Sequence, residues 1–227
     1  MITRRFSFAL YYFDGVIVDS EPLRLKTYKT LFLETYGVDI EIDQFNLVGK
    51  PESHNLEQLL KQNGLDFNKE NLRSLKFKRS QILLDEARKK FPIIQNIAYI
   101  INSLGSLQIP MGIVTNSSLS YIHTVMDTLK INSNDFHIVT GDDVSKPKPD
   151  PQSYFKALKG MNVCAEHGLA FEDSKAGLTA VQSTGLSSVA VLSTYSKNEL
   201  SADFYLKPAL NLISAKKLIS LFGTQYA

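Results

Sequence analysis

The sequence predicts an α/β protein with a doubly wound, mostly parallel sheet and a helical segment inserted after the first strand. From Pro92 onward, short apolar runs alternate with helical stretches, which is typical of a parallel sheet covered by helices on both faces. Between residues 17 and 90, apolar residues recur at helical spacing and no convincing strand is predicted. We therefore expect a core domain of residues 1–16 and 91–227, and a helical domain of residues 17–90.

Local signals predict the individual elements. The first strand is predicted at residues 6–13, an apolar run that ends at Asp14-Gly15, a pair typical of turns. The helical segment contains three predicted helices, which end at Gly37, before Asn63-Gly64 and at about residue 90. The remaining predictions are helices at 93–104, 119–129, 151–158, 175–183 and 210–221, and strands at 111–115, 136–139, 168–171, 188–192 and 204–206.

The composition limits the classes of partner. The chain has 227 residues, of which 44% are hydrophobic and 21% charged, as in an ordinary globular protein with a buried core. A net charge of +2 gives no electrostatic reason to expect nucleic acid or a membrane surface as a partner. The single Cys164 excludes an intramolecular disulfide and favours a reducing compartment, so we expect a cytoplasmic protein. We also expect a monomer.

Polar clusters follow several of the predicted strands. Asp14 follows the first strand, Thr115-Asn116-Ser117 follows the second, and Glu172-Asp173 ends a later one. The carboxyl ends of parallel strands lie at one edge of a sheet, where such folds bind ligands. A hydroxyl beside backbone N–H groups can hold a phosphate oxygen, and paired carboxylates can hold Mg²⁺. Ser117 or Ser118 could equally be a simple helix cap.

The segment Tyr12-Phe13-Asp14-Gly15-Val16 resembles the first motif of the haloacid dehalogenase superfamily, in the branch that includes β-phosphoglucomutase and phosphoglycolate phosphatase. The family has Asp-x-Asp-Gly here, with the first Asp as nucleophile and the second as general acid/base. The resemblance implies a Rossmann-like core with a helical cap domain at residues 17–90. It also implies Mg²⁺-dependent phosphoryl transfer from a small phosphorylated metabolite, for which we expect a sugar phosphate.

Three later segments resemble the family's other motifs. Thr115-Asn116-Ser117 resembles the second motif, which binds phosphate. Lys146-Pro147-Lys148-Pro149-Asp150 resembles the third, which implies that Lys146 binds the phosphate while Lys148 faces solvent. The alternative interpretation, without a functional role, is that this segment is a basic, proline-rich surface turn. Glu172-Asp173 resembles the fourth motif, which implies that Asp173, Glu172 and Asp14 bind Mg²⁺.

One residue departs from the family pattern. The nucleophile position holds Tyr12, whose unperturbed pKa of about 10 leaves it protonated near neutral pH. The substitution also removes a carboxylate, which should weaken Mg²⁺ binding. The favoured interpretation is that Tyr12 fills the emptied position, with its hydroxyl bonded to Lys146 or Asp173. A phosphotyrosine intermediate and direct attack by water activated by Asp14 are the alternatives.

The helical domain contributes further candidates. Arg24 occupies a position where the phosphomutases of this branch often carry a histidine, and because arginine stays protonated, a phosphatase is favoured over a phosphosugar mutase. Arg24 and Lys50 are candidates for substrate binding, although Lys50 could equally be a plain surface residue. Lys78 and Arg79 are expected to be solvated.

Two hypotheses follow from these residues. The first is a phosphatase whose turnover is slow or follows an altered route because of Tyr12. The second is a catalytically inactive protein that keeps the fold as a site for a ligand or a protein partner.

Overall fold

A computed structural model describes residues 5–42, 47, 52–89 and 91–222. The chain forms two compact units. The helical unit is Ser20–Lys90, and the sheet unit combines Met1–Asp19 with Phe91–Ala227. The first boundary therefore follows Asp19, three residues later than the predicted one.

The helical unit contains α1 (Glu21–Tyr36), α2 (Glu52–Gln62) and α3 (Lys69–Ala87). Gly37 ends α1 in the left-handed conformation, with φ of 69°, and its N–H donates to the carbonyl of Leu33. Asn68 begins α3, since its side chain accepts a hydrogen bond from the N–H of Asn71 at 2.9 Å. The apolar faces of the helices share a core that includes Tyr28, Leu31, Phe32, Leu56, Leu59 and Leu75.

The sheet unit is built on six parallel strands in the order β3-β2-β1-β4-β5-β6. They are β1 (Phe8–Tyr11), β2 (Met111–Val114), β3 (Phe136–Val139), β4 (Gly168–Glu172), β5 (Ser187–Val191) and β6 (Phe204–Leu206). Strands β1, β2 and β4 are buried along their whole length, as expected when helices cover both faces of a parallel sheet. The predicted Rossmann-like α/β fold is confirmed.

Among its described residues the sheet unit has five α-helices: α4 (Gln95–Ser106), α5 (Leu119–Leu129), α6 (Gln152–Met161), α7 (Lys175–Gln182) and α8 (Leu212–Ile219). Ser118 and Ser174 begin α5 and α7, because their hydroxyls accept hydrogen bonds from Tyr121 N and Gly177 N. Within the described parts of the chain, no helix is long and apolar enough to cross a membrane.

A buried asparagine connects α4 to the segment before α8. Asn96 is fully buried, and its Nδ2 donates to the carbonyls of Lys207 and Ala209 at 2.7 and 2.6 Å. Its Oδ1 accepts from the N–H of Asn211 at 2.7 Å. The side chain therefore satisfies three backbone groups that have few alternative partners.

We expect Asn96→Ala to lower the free energy of unfolding by about 1–3 kcal/mol, because it leaves these backbone groups unsatisfied. The matched control is Asn102→Ala on the exposed face of the same helix, which should stay within about 0.5 kcal/mol of the unaltered chain. Denaturant unfolding of the three proteins measures the difference. Equal losses for both variants would contradict this role of Asn96.

Candidate active site

Most of the predicted site residues of the sheet unit lie at or just after the carboxyl ends of β1, β2 and β4. β1 lies between β2 and β4, where the strand order reverses, and such a reversal opens the crevice in which these folds bind ligands. Asp14, Thr115, Glu172 and Asp173 are all buried there.

Asp14 is held by two hydroxyl groups. Its Oδ2 accepts a hydrogen bond from Ser117 Oγ at 2.7 Å, and its Oδ1 accepts one from Tyr121 OH at 2.8 Å. The following Gly15 has φ of 78°, and a Cβ at this position would lie 2.1 Å from Asp173 Oδ2, so only glycine fits. Tyr121 was not predicted from the sequence, where its only signal is its place in the first turn of α5, just after the Thr115-Asn116-Ser117 cluster.

The cluster after β2 has three different roles. Thr115 is fully buried, and its Oγ1 accepts from the N–H of Ser117 at 3.0 Å. Asn116 is exposed, and its Oδ1 accepts from the backbone N–H of Lys148 at 3.4 Å. Ser117 bonds to Asp14, and the helix cap is Ser118.

The lysine of the site is Lys148, so the prediction of Lys146 is wrong. The side chain of Lys148 is only 3% exposed and its Nζ lies 2.6 Å from Glu172 Oε1. The side chain of Lys146 is 72% exposed and its Nζ lies 4.0 Å from the carboxylate of Asp150. The prediction that Lys148 faces solvent is wrong for the same reason.

The local sequence explains the error. It contains Lys-Pro-x-Pro twice in overlapping form, once from Lys146 and once from Lys148. The backbone N–H of Lys146 donates to Gln152 Oε1 at 2.9 Å, which keeps this residue beside the start of α6. Only Lys148 bonds to Asn116, at the end of β2. These contacts join the two lysines to residues outside the motif. The sequence of the motif alone therefore does not show which lysine belongs to the site.

Glu172 is fully buried, and its carboxylate accepts hydrogen bonds on both oxygens. Besides Lys148, Tyr154 OH donates to Oε1 at 2.7 Å, and the Asp173 N–H donates to Oε2 at 3.2 Å. Burial lowers the pKa of Lys148, while the negative charge of Glu172 opposes that shift. Burial first, and then Glu172, raises the pKa of Tyr154, which therefore stays a hydrogen-bond donor. Tyr154 was not predicted as a site residue from the sequence.

Asp173 is buried beside Glu172 but has fewer partners. Its Oδ2 accepts from Thr194 Oγ1 at 2.5 Å, whereas its Oδ1 has no hydrogen-bond partner. Burial, and then the charge of Glu172, raises the pKa of Asp173 to about 8. The neighbouring Ser193 Oγ donates to the carbonyl of Gly15 at 2.5 Å. Ser193 and Thr194 were not predicted as site residues, because the segment after β5 has no motif.

Tyr12 lies beside Lys148. The residue is half-buried, and its backbone N–H donates to the carbonyl of Phe171 at 2.9 Å. Lys148 Nζ lies 4.1 Å from the centroid of the Tyr12 ring, which is a cation–π contact. The predicted hydrogen bond from the Tyr12 hydroxyl to Lys146 is wrong, because Lys146 is at the surface. The carboxylate of Asp173, the other predicted partner, bonds to Thr194 instead. The contact of Tyr12 with the site's lysine is made by the face of the ring.

In the helical unit, Arg24 lies on α1 at a cavity of about 100 Å³. The cavity is lined by Glu21, Arg24, Tyr28, Leu47, Glu52, Asn55 and Arg79. Arg79 is buried there, with its guanidinium 2.6 Å from Glu52 Oε1 and 3.8 Å from the centroid of the Tyr28 ring, so the expected solvation of Arg79 is wrong. Its spacing of four from the buried Leu75 and Leu83 could have indicated this burial. Lys50 lies outside the described residues.

Comparisons with known proteins identify the family. Residues 9–191 match the family described as haloacid dehalogenase-like hydrolase, which is well over half of the chain. The chain belongs to this family.

Two relatives and one solved structure illustrate the similarity. The chain is 28% identical over 174 residues to a phosphorylated carbohydrates phosphatase of Thermotoga maritima, which covers 76% of this chain and 79% of the relative. It is 32% identical over 109 residues to a validoxylamine A 7'-phosphate phosphatase of Streptomyces hygroscopicus subsp. limoneus, covering 48% of this chain and about half of that relative (51%). Among solved structures, a β-phosphoglucomutase from Clostridium difficile aligns with a TM-score of 0.74 at 21% identity, over 95% of this chain and 97% of that one. This last similarity shows the fold.

The haloacid dehalogenase-like family implies Mg²⁺, but the donors of this chain do not form a complete site for it. Tyr12 offers no carboxylate, and both oxygens of Asp14 and of Glu172 accept hydrogen bonds from protein groups. Asp173 Oδ1 is the one carboxylate oxygen of these three residues without such a partner. Among the residues that the structure describes, no group of three or more histidine, cysteine or acidic side chains is arranged to hold a metal ion.

We expect Lys148→Met to lower the free energy of unfolding by about 3–5 kcal/mol, because it leaves the buried Glu172 carboxylate without its counter-charge. The matched control is Lys146→Met, two residues away and exposed, which should change it by no more than about 0.5 kcal/mol. Urea unfolding at neutral pH measures both values. A larger loss for Lys146→Met than for Lys148→Met would refute the assignment.

Proposed function

We propose that this chain is a phosphatase-family protein that recognises a small phosphorylated metabolite, and whose phosphoryl transfer is impaired by Tyr12. The observation that carries the proposal is the Tyr12 ring against the Lys148 ammonium, at 4.1 Å. This is the position from which the family's nucleophilic carboxylate acts, and a neutral phenol is a poor replacement for it.

The other groups of the site support a reaction of low efficiency. Asp14 is oriented by Ser117 and Tyr121, as a group that passes a proton to or from a reacting oxygen must be. Thr115 lies at the end of β2, where its Oγ1 accepts from the Ser117 N–H and its O–H is left to donate, which supports the binding of a phosphate oxygen. Without a nucleophile on the protein, water activated by Asp14 would have to attack phosphorus directly. The leaving oxygen would then take its proton from the same carboxyl group or from solvent.

The substrate class that we propose is a sugar phosphate. It is supported by the similarity to the phosphorylated carbohydrates phosphatase of Thermotoga maritima, which aligns over 76% of this chain. Arg24 and Lys50 remain the candidates for recognition of the rest of the substrate. The phosphomutase alternative is less favoured, because Arg24 stays protonated and cannot pass protons. A cytoplasmic monomer stays a prediction.

The second candidate function is an inactive phosphatase homologue that binds a ligand or a protein partner. One observation favours it. Lys148 Nζ donates to Glu172 Oε1, Tyr154 OH and the carbonyl of Val114, at 2.6, 3.2 and 2.9 Å. An ammonium group has three N–H donors, so none is left for a phosphate oxygen in this arrangement.

Phosphate release by the unaltered chain, measured beside Tyr12→Asp, separates the two candidates. We expect Tyr12→Asp to release phosphate from sugar phosphates at least about 10²-fold faster than the unaltered chain, because loss of a covalent nucleophile can cost on the order of 10⁶ in rate. The assay is phosphate release with Mg²⁺ from a panel of sugar phosphates and an aryl phosphate. If the unaltered chain releases no phosphate at all, the inactive homologue is favoured.

Two control variants identify the route. Tyr12→Phe keeps the ring without the hydroxyl, so it should match the unaltered chain. A complete loss of activity in Tyr12→Phe would instead point to a phosphotyrosine intermediate. Tyr12→Asp combined with Asp14→Asn should lose the gain, because the acid/base is removed. Equal rates for the unaltered chain and Tyr12→Asp would contradict the proposed impairment.

A further inference from the structure

We propose that the ammonium of Lys148 is the resident cation of this site, and that the chain does not bind Mg²⁺ there. The inference deepens the proposed function, on which it rests, by assigning the positive charge that balances the buried carboxylates. It concerns equilibrium binding of a cation, and it can therefore be tested without any turnover.

Lys148 has the surroundings of a fully bound cation. All three of its N–H groups are used by the hydrogen bonds to Glu172, Tyr154 and Val114. The faces of two tyrosine rings complete its surroundings, with Nζ 4.1 Å from the centroid of Tyr12 and 4.7 Å from that of Tyr154. A cation held between aromatic faces and oxygen acceptors is stabilised without bound water.

The carboxylates offer little to a second cation. Glu172 is occupied by Lys148 and Tyr154, and both oxygens of Asp14 accept from hydroxyl groups. Asp173 contributes one unpartnered oxygen, since Thr194 holds the other. Mg²⁺ requires near-octahedral oxygen coordination and gives up its water reluctantly, so a single carboxylate oxygen binds it weakly.

Tyr12 disfavours the binding of Mg²⁺ and favours the ammonium of Lys148. A tyrosine in place of a carboxylate removes an anionic ligand that Mg²⁺ would use, and it adds a ring face on which the ammonium is stabilised. Tyr12 alone therefore explains why the site holds the ammonium of Lys148 and not Mg²⁺. It follows that restoring the carboxylate, or removing the ammonium, should allow a divalent cation to bind.

The experiment is a titration with Mn²⁺ in place of Mg²⁺, followed by the electron paramagnetic resonance signal of the free ion, with no substrate present. The proteins are the unaltered chain, Tyr12→Asp, Lys148→Met and the exposed control Lys146→Met. We expect the unaltered chain and Lys146→Met to leave the signal unchanged at millimolar ion. We expect Tyr12→Asp and Lys148→Met to bind Mn²⁺ at least about 10- to 100-fold more tightly.

Because Lys148→Met is expected to be less stable, the unfolding temperature with and without Mg²⁺ is a second measurement. Mg²⁺ should raise the unfolding temperature of Tyr12→Asp and of Lys148→Met, and should leave that of the unaltered chain unchanged. If Lys148→Met does not fold, the comparison of the unaltered chain with Tyr12→Asp decides alone.

The proposal is overturned if the unaltered chain binds Mn²⁺ as tightly as Tyr12→Asp and Asp173→Asn abolishes that binding. It is also overturned if inorganic phosphate restores Mn²⁺ binding to the unaltered chain, since Lys148 would then not replace the divalent ion. Neither result depends on phosphate release, so failure of this inference is distinct from failure of the proposed function.

Discussion

The buried ion pair between Lys148 and Glu172 is the interaction on which the rest of the site depends. Two charges removed from water are costly unless they are paired and their remaining hydrogen-bonding groups are satisfied. Here Tyr154 OH and the carbonyl of Val114 accept the other two hydrogen bonds of the Lys148 ammonium, and the N–H of Asp173 donates to the Glu172 carboxylate. The pair thereby fixes the loop before α6 against the ends of β2 and β4.

The other two carboxylates are stabilised by hydroxyl groups instead of by charge. Ser117 and Tyr121 bond to Asp14, and Thr194 bonds to Asp173. Ser117 and Tyr121 lie just before and within the start of α5, and Thr194 lies in the segment after β5. The hydroxyl donors therefore come from segments on both sides of β1. Asp173 remains the less satisfied of the two, which agrees with the upward shift of its pKa and its unpartnered oxygen.

The proposed function of this haloacid dehalogenase-like chain depends on Tyr12. Asp14, the hydroxyl groups after β2, Lys148 and the paired carboxylates of Glu172 and Asp173 lie together at the carboxyl edge of the sheet. The ring of Tyr12 lies against the ammonium of Lys148, with Nζ 4.1 Å from the ring centroid. We therefore propose that this one side chain changes both the chemistry and the charge balance of the site.

The sequence by itself determined the fold and the positions of most site residues. Helical and strand periodicity are local properties, so elements such as α2 at Glu52–Gln62 and β3 at Phe136–Val139 follow from nearby residues alone. Asp14, Thr115, Glu172 and Asp173 could be predicted because each lies at or shortly after the end of a strand, at the binding edge of the sheet.

Only the tertiary structure decided which lysine enters the site and which side chains support it. Lys146 and Lys148 share one motif, and contacts with Asn116 and Glu172, distant in sequence, separate them. Tyr121, Tyr154 and Thr194 come from three different elements, so no local pattern relates them to the carboxylates they hold. Buried charged groups need hydrogen-bond partners, and the fold supplies them from residues that are distant in sequence. Long-range packing therefore decides which side chains these are.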